Sequence, residues 1–243
     1  MLRRMPAKRD LRLALSQSAG DPETLARVFA DDSITDLELR HALRGRLPSE
    51  VSAYVMESSR FGTRQPILGA LARSPSTAPR TALQALPGLT WRDLAEVAVA
   101  VELAPAVRQK AEALLLDLLT ALRLGDLVTL ARIGPRRVTS QLLLSADSRV
   151  REAGLHNPRL RDSDVCAVLE RDDAPRPFAA ELLQVHRWAA SYQVRRAIVR
   201  SAATPHPISL SLIASMNPGD LKDLAQSDDV PPLVGAVARR IMG

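Results

Sequence analysis

One cysteine, Cys166, in 243 residues excludes an intrachain disulfide framework and any cysteine-cluster metal site. Its setting, Asp164-Val165-Cys166-Ala167-Val168-Leu169, marks it as a small buried thiol. Aromatics are scarce, with three Phe, two Tyr and two Trp, and runs of β-branched residues are few. A sandwich or an α/β sheet needs both, so these absences exclude those classes. No apolar run approaches the ~18 residues of a membrane span, and no membrane partner is expected. Arg3-Arg4 is not followed by an apolar stretch, so no secretory signal is read and the default compartment is cytoplasmic. Gly-rich phosphate loops, Gly-x-Ser-x-Gly elbows and Cys/His pairings are missing as well. The four histidines, His41, His156, His186 and His206, are scattered with no metal-ligand spacing. No metal or cofactor is expected.

Lysine is nearly absent too. Only Lys8, Lys110 and Lys222 accompany the arginines in a set of 33 basic residues against 27 acidic, for a formal net charge of +6. A basic balance permits nucleic acid or an acidic protein as partner and demands neither. Part of the arginine excess reads as coding composition.

What is abundant is Ala and Leu, which predicts an all-α chain packed with small and aliphatic residues. The seventeen prolines are compatible with that only if each opens or closes a short helix. Pro22, Pro48, Pro105, Pro135, Pro175, Pro205 and Pro231 all stand at plausible first turns. In chain order, residues 1–12 form a basic, ragged terminus, and Asp21-Pro22 opens the first clear helix. Ser33 with Asp36 opens a second, and Pro48-Ser49 a third that ends near Ser58-Ser59. Residues 1–62 lack a repeat signature and read as an N-terminal helical cap, continuous with the rest of the chain.

From residue 63 a repeat appears. Val194-Arg195-Arg196-Ala197-Ile198-Val199-Arg200-Ser201 recurs as Val150-Arg151-Glu152-Ala153-Gly154-Leu155-His156-Asn157. A more distant copy places Arg73-Ser74 and Thr77 where Arg200-Ser201 and Thr204 stand. Val194, Ala197, Ile198 and Ser201 share one narrow helical face of small residues, which lets another helix approach closely. Ser or Asn followed by Pro then marks the stop. Trp91-Arg92-Asp93-Leu94-Ala95 corresponds to Leu221-Lys222-Asp223-Leu224-Ala225, and Pro105-Ala106-Val107 to Pro232-Leu233-Val234. Asp126–Ile133 with Pro135–Ser145 is matched one unit later by Asp164–Glu170 with Pro175–Val185. Between them, Val107, Ala111, Leu114, Leu118 and Leu122 predict a long helix reaching Gly125.

A unit of about 43 residues, with a Val-Arg pair at one helix start and a Pro-opened partner, resembles the HEAT-like and leucine-rich-repeat-variant α-solenoids. The resemblance covers residues 63–243. It implies a right-handed α-solenoid of helix pairs, elongated rather than spherical, in which each short helix is stabilised by its neighbours. Such families are mostly interaction scaffolds. Some leucine-rich variants hold an iron–sulfur cluster in a Cys-rich N-terminal region, for which Cys166 alone does not suffice.

The basic residues suggest two functional surfaces. Arg108, Arg151 and Arg195 begin equivalent helices and form a ladder, either a cationic groove for phosphates or a set of intrarepeat pairs. Asp147 stands four residues before Arg151 and Glu112 four after Arg108, which favours pairing. Arg132, Arg136, Arg137, Arg149, Arg159, Arg161, Arg187, Arg196 and Arg200 extend the basic strip, diluted by Glu152, Asp162 and Asp164. Only Trp188 and Tyr192 are at hand to stack on bases. A few HEAT-like proteins are alkylpurine DNA glycosylases that use tryptophans and an aspartate on a concave basic surface. Trp91, Asp93 and Trp188 are the candidates for that chemistry. The reading adopted is a non-enzymatic scaffold whose partner is another protein, with nucleic acid as the alternative and the glycosylase third.

Overall fold

The computed structural model describes residues 8–227 and 229–243. Arg3 and Arg4 lie outside them. Among the described residues the chain is helical, with eighteen α-helices, one 3-10 turn and no strand. Two compact units make it up, one reaching Ala121 and one running from Leu122 to Gly243.

The first unit holds α1 (Lys8–Ser18), α2 (Pro22–Phe29), α3 (Asp36–Leu43), α4 (Ser49–Glu57), α5 (Gln65–Arg73), α6 (Pro79–Ala85), the 3-10 turn Leu86–Gly88, α7 (Trp91–Val99) and α8 (Pro105–Leu118). The backbone is already helical at Lys8, inside the stretch expected to be ragged. Asp21 caps α2 by accepting the Glu23 N–H at 3.1 Å, with Pro22 behind it in the first turn. Thr35, not Ser33, caps α3. It sits one residue before the first helical position, and Glu38 returns a bond to its N–H at 3.0 Å, closing a capping box. Ser33 instead turns its N–H to Asp31. Each helix is two to four turns long and stable only when covered. Accordingly α1, α3, α5 and α7 pack one on the next, as do α4, α6 and α8. Phe29, Phe61, Leu39, Leu71, Leu94 and Leu115 are buried between them.

The long helix expected to reach Gly125 stops at Leu118. Bonds of 3-10 type, Leu119 N–H to Leu116 O and Ala121 N–H to Leu118 O, break the ladder, and Arg123 turns extended. Val107, Ala111 and Leu115 are buried, while Leu114, Leu118 and Leu122 are half-buried. Gly125 falls in the first turn of the next helix.

The second unit holds α9 (Leu124–Ile133), α10 (Arg136–Leu142), α11 (Ser148–Leu155), α12 (Asp162–Leu169), α13 (Phe178–Gln184), α14 (His186–Ala190), α15 (Tyr192–Arg200), α16 (His206–Ile213), α17 (Pro218–Gln226) and α18 (Pro232–Met242). Here α9 packs on α11, and α12 on α15. Pro175 does not open a helix. The chain makes one more turn, and α13 starts at Phe178. The short helix α14 is an addition that periodicity did not indicate. The core is in two parts, one around Trp188, Phe178 and Ile198 and one around Val199, Leu224 and Val234.

Matched residues make matched bonds. The N–H three positions beyond the stop residue closes a turn in every copy: Thr77 to Ser74 O at 3.1 Å, Leu160 to Asn157 O at 3.3 Å, Thr204 to Ser201 O at 3.2 Å. Asn157 and Ser201 each reach back to a preceding helix, Asn157 Nδ2 to Ala131 O of α9 at 2.9 Å and Ser201 Oγ to Leu169 O of α12 at 2.6 Å.

Candidate functional site

The arginines explain themselves first. A helix leaves its last four carbonyls without an internal partner, and short helices put many such ends in one chain. Arg195 answers this at the end of α14, and Arg151 makes the same pair of bonds to loop carbonyls beyond the end of α10. Arg151 Nη1 donates to Ser145 O (2.6 Å) and Ala146 O (2.9 Å), and Arg195 Nη1 donates to Ala189 O (2.9 Å) and Ala190 O (3.0 Å). Arg151 goes further. Its Nε meets Glu181 Oε2 at 2.8 Å and its Nη2 meets Oε1, a two-pronged pair on a side chain only 4% exposed. Asp147 is therefore not the hydrogen-bonding partner of Arg151, although its charge still acts on that guanidinium. It caps α11 through the Arg149 N–H and pairs with the Arg149 guanidinium at 2.8 Å. Arg108 has no ion pair with Glu112 among the described residues, and its Nε is buried without a hydrogen-bond partner, as is that of Arg195.

A second set of arginines meets acids at helix starts. In α7, α12 and α17 the third helical residue, Asp93, Asp164 or Asp220, binds back toward its own N-terminus and also takes an arginine from another helix. Arg73 pairs with Asp93, Arg136 Nε with Asp164 at 2.7 Å, and Arg196 Nε with Asp220 at 2.6 Å. Asp220 also accepts the Tyr192 hydroxyl, and burial with that contact pushes the phenol up. Arg159 Nη1 caps α9 at Ile133 O, 3.0 Å away. Of the arginines singled out in the sequence, Arg136, Arg151, Arg159, Arg195 and Arg196 thus bond to other parts of the fold, Arg136 and Arg159 from exposed positions. Arg137 and Arg161 are exposed, and Arg200 is half-buried.

Of the glycosylase candidates, Trp91 and Asp93 lie in the first unit and Trp188 in the second. Trp188 is completely buried and donates its indole N–H to Leu155 O at 2.9 Å, so it has no face left for a base. Trp91 is half-buried with the Arg92 guanidinium 5.0 Å from its ring centre. Burial raises the Asp93 carboxyl, but hydrogen bonds from Thr90 and Arg73 outweigh it and hold the group below its ordinary range. A general base at neutral pH needs the reverse. Cys166 is buried, and desolvation pushes its thiol up to about 11. The histidines are all exposed.

An open cleft lies elsewhere in the second unit. A cleft of about 850 Å³ forms between the segment after α12 and the stop segment after α15. Glu170, Asp172, Arg176, Arg200, His206 and Asp229 bring charge or a titratable ring to it, and Ala197, Ala202 and Ala203 bring small walls. Thr204 lines it at 3% exposure, with a buried hydroxyl that has no partner. No side chain caps α16, whose first residue is His206, and no acid stands in its first turn.

Chain comparison with protein-family models, curated proteins and solved structures gives no match. The informative comparison is internal. Where α9 joins α10, Gly134 and Pro135 suffice, and Asn157 fills the junction with bonds to Ala131 O, Gly134 O (3.1 Å) and Thr139 Oγ1 (2.9 Å). In the equivalent place after α12 the whole segment 170–177 intervenes, and the shorter Ser201 makes a single bond, to Leu169 O. The cleft is the difference between the two. Sequence reasoning aligned these copies and passed over the extra residues between Glu170 and Phe178, which were the signal available. Insertions that leave a helical repeat intact collect on one face and commonly carry binding.

Proposed function

We propose that this chain is a non-enzymatic scaffold, a HEAT-like α-solenoid of stacked helix pairs, whose second unit binds a segment of another protein in the cleft after α15. The observation that carries the reading is how its charge is distributed. Arg136, Arg151, Arg195 and Arg196 are spent on carbonyls and carboxylates of the fold itself. The cleft that stays open mixes three acids, Glu170, Asp172 and Asp229, with arginines, instead of presenting one sign. A polyphosphate backbone requires surplus positive charge, whereas a protein segment supplies both signs and apolar atoms. The successive packing of α1, α3, α5 and α7, and of α4, α6 and α8, supports the solenoid part. A scattering radius near the ~18 Å of a compact chain this long would count against it.

The functional test is a comparison of ligands. Duplex and single-stranded probes should bind only in the ~10⁻⁴–10⁻⁶ M non-specific range at physiological salt. Arg195→Ala with Arg196→Ala should act on stability and leave that weak binding in place. Sub-micromolar, salt-sensitive nucleic-acid binding that disappears in the double variant would transfer the assignment to a nucleic-acid-binding solenoid.

A further inference from the structure

We infer that the arginine cluster where α9 meets α10, beside the loop from α11 to α12, docks an acidic segment of another protein that sets an aliphatic side chain on Ile133. The surface shares no residue with the cleft after α15 and is a second site. Hydrogen bonds hold the cluster together. Arg159 Nη1 donates to Ile133 O at 3.0 Å, and Arg187 donates to Leu160 O. Arg136 Nε and the Arg161 N–H both reach Asp164, at 2.7 and 2.8 Å. Arg137 follows Arg136, Arg132 precedes Ile133, and all six arginines are exposed. The acids among them are few. Asp164 is taken by Arg136, and Asp162 accepts the Ser191 hydroxyl. Glu152 lies about one turn back in α11 and Asp126 about two turns back in α9, while α10 and α14 carry no acid. The surface therefore holds surplus positive charge.

Helix ends do not account for all of it. Arg132, in the last turn of α9, sits where the helix dipole favours a cation. Arg137 in the first turn of α10 and Arg161 at the N-cap of α12 sit where the dipole opposes one, and neither has an ion pair among the described residues. Charge alone suits any polyanion, and the surroundings select among them. Ile133 is 48% exposed between Arg132 and the Arg159 contact, and a phosphodiester backbone has no apolar surface to cover it, whereas a peptide side chain does. No ring is open to stack on a base, since Trp188 is buried beneath the Arg187 guanidinium, 4.2 Å from its ring centre. One exposed aliphatic residue, with Gly134 and Pro135 behind it buried, is too little apolar area to seat in a lipid surface. Carboxylates suit what remains, because Arg159 and Arg187 each spend a single bond on a carbonyl and keep further donors.

The experiment titrates the intact protein with a fluorescent peptide of repeating Glu-Glu-Leu, a Gln-Gln-Leu counterpart, a DNA duplex, a single-stranded oligonucleotide and phosphatidylserine vesicles. Glu-Glu-Leu should bind in about the 1–100 μM range at low ionic strength and weaken as salt is added, and Gln-Gln-Leu should not bind. Arg137→Glu with Arg161→Asn should weaken it about tenfold or more. The same pair puts an acid in the first turn of α10 and a good cap on α12, so the unfolding midpoint should hold or rise, a combination that a merely structural role does not produce. Ile133→Ser should weaken binding severalfold with the salt dependence unchanged. Arg240→Glu, exposed on α18, should change nothing. No binding of Glu-Glu-Leu, or equal binding by Gln-Gln-Leu or by the double variant, overturns the assignment and leaves the cleft reading standing. Loss of binding in Arg200→Glu instead moves the peptide into the cleft, which overturns this site and supports that one. An oligonucleotide, duplex or vesicle that binds more tightly than Glu-Glu-Leu and is lost in the double variant overturns it in favour of nucleic acid or a membrane.

Discussion

Arg151 is the residue on which the two accounts of the basic strip part most sharply. If it served phosphates, replacing it would spare the fold. In the structure it is buried, forks onto Glu181 and donates to the carbonyls of Ser145 and Ala146. Arg151→Ala removes four hydrogen bonds, two of them to a carboxylate that is itself mostly enclosed. Breaking a buried pair by deleting one partner costs about 3–5 kcal/mol, because the other charge stays behind. Solvent still reaches part of Glu181, so about 3 kcal/mol is the expected loss. Arg195→Ala, at the equivalent position, loses two bonds to carbonyls and strands no acid, which predicts about 1–2 kcal/mol. The double change Arg151→Met with Glu181→Leu should recover most of the loss, since it removes both desolvated charges.

Urea unfolding followed by Trp188 fluorescence measures this, because that indole is buried in the core of the second unit. A Trp91→Phe background leaves Trp188 as the sole tryptophan reporter. The reasoning fails if Arg151→Ala shifts stability by less than about 1 kcal/mol, or if Arg195→Ala costs as much as Arg151→Ala. It also fails if Arg151→Met alone is as stable as the double variant, since Glu181 would then tolerate isolation.

Three further outcomes are expected. Cys166, with its thiol raised from 9.0 to about 11, should resist alkylation in the native protein and react as the second unit unfolds; stability should be unaffected by this group below about pH 9 and fall as pH rises toward 11, as the unfolded thiol ionises first. Asp93, held below its ordinary 3.8, contributes stability that is present above that value and lost as pH falls through the lowered one, so Asp93→Asn should flatten the acid limb of the first unit's unfolding curve. A Cβ at Gly62 would lie 2.2 Å from the Met56 carbonyl oxygen, so Gly62→Ala should destabilise by about 1–3 kcal/mol in thermal unfolding, and an unchanged Tm would show that the turn relaxes freely.

Much of the helical pattern could be read from local chemistry. Asp21 before Pro22, Thr90 before Trp91 and the Pro-opened α8 and α18 follow from caps and fixed φ, which act over three or four residues. The equivalence of Arg151 with Arg195, and of Asn157 with Ser201, was legible because a repeat makes the same contacts twice. What those residues touch was not. Spacing along a helix nominated Asp147 for Arg151, yet the partner, Glu181, is thirty residues on and arrives through packing. Trp188 looked available for stacking because α14, the short helix that carries it inward, leaves no periodic trace in five residues. The end of α8 was missed because an apolar stripe continues through Leu118 and Leu122 after the hydrogen-bond ladder has stopped. The cleft was hidden by alignment itself, which matches what two copies share and discounts what one of them adds.

The arginine excess acquires a structural cause on this view. Arg60 shows the limiting case: one guanidinium collects Phe29 O, Asp31 O, Asp32 O and Ile34 O just past the end of α2, at 2.9–3.4 Å, while lying 4.7 Å from the centre of the Phe61 ring. Arg239 does the same for Ala225 in α17. Lysine cannot substitute, because its three donors radiate from one strongly hydrated nitrogen and do not span several carbonyls while stacking on a ring. A chain built of many two- and three-turn helices multiplies the ends that need such a group. Its net charge of +6 then measures how many helix termini are being satisfied as much as it measures affinity for polyanions. The arginines that matter for binding are accordingly those whose donors the fold has left unused. Arg171, Arg176 and Arg200 all line the cleft after α15, and Arg171 is paired there with Asp173.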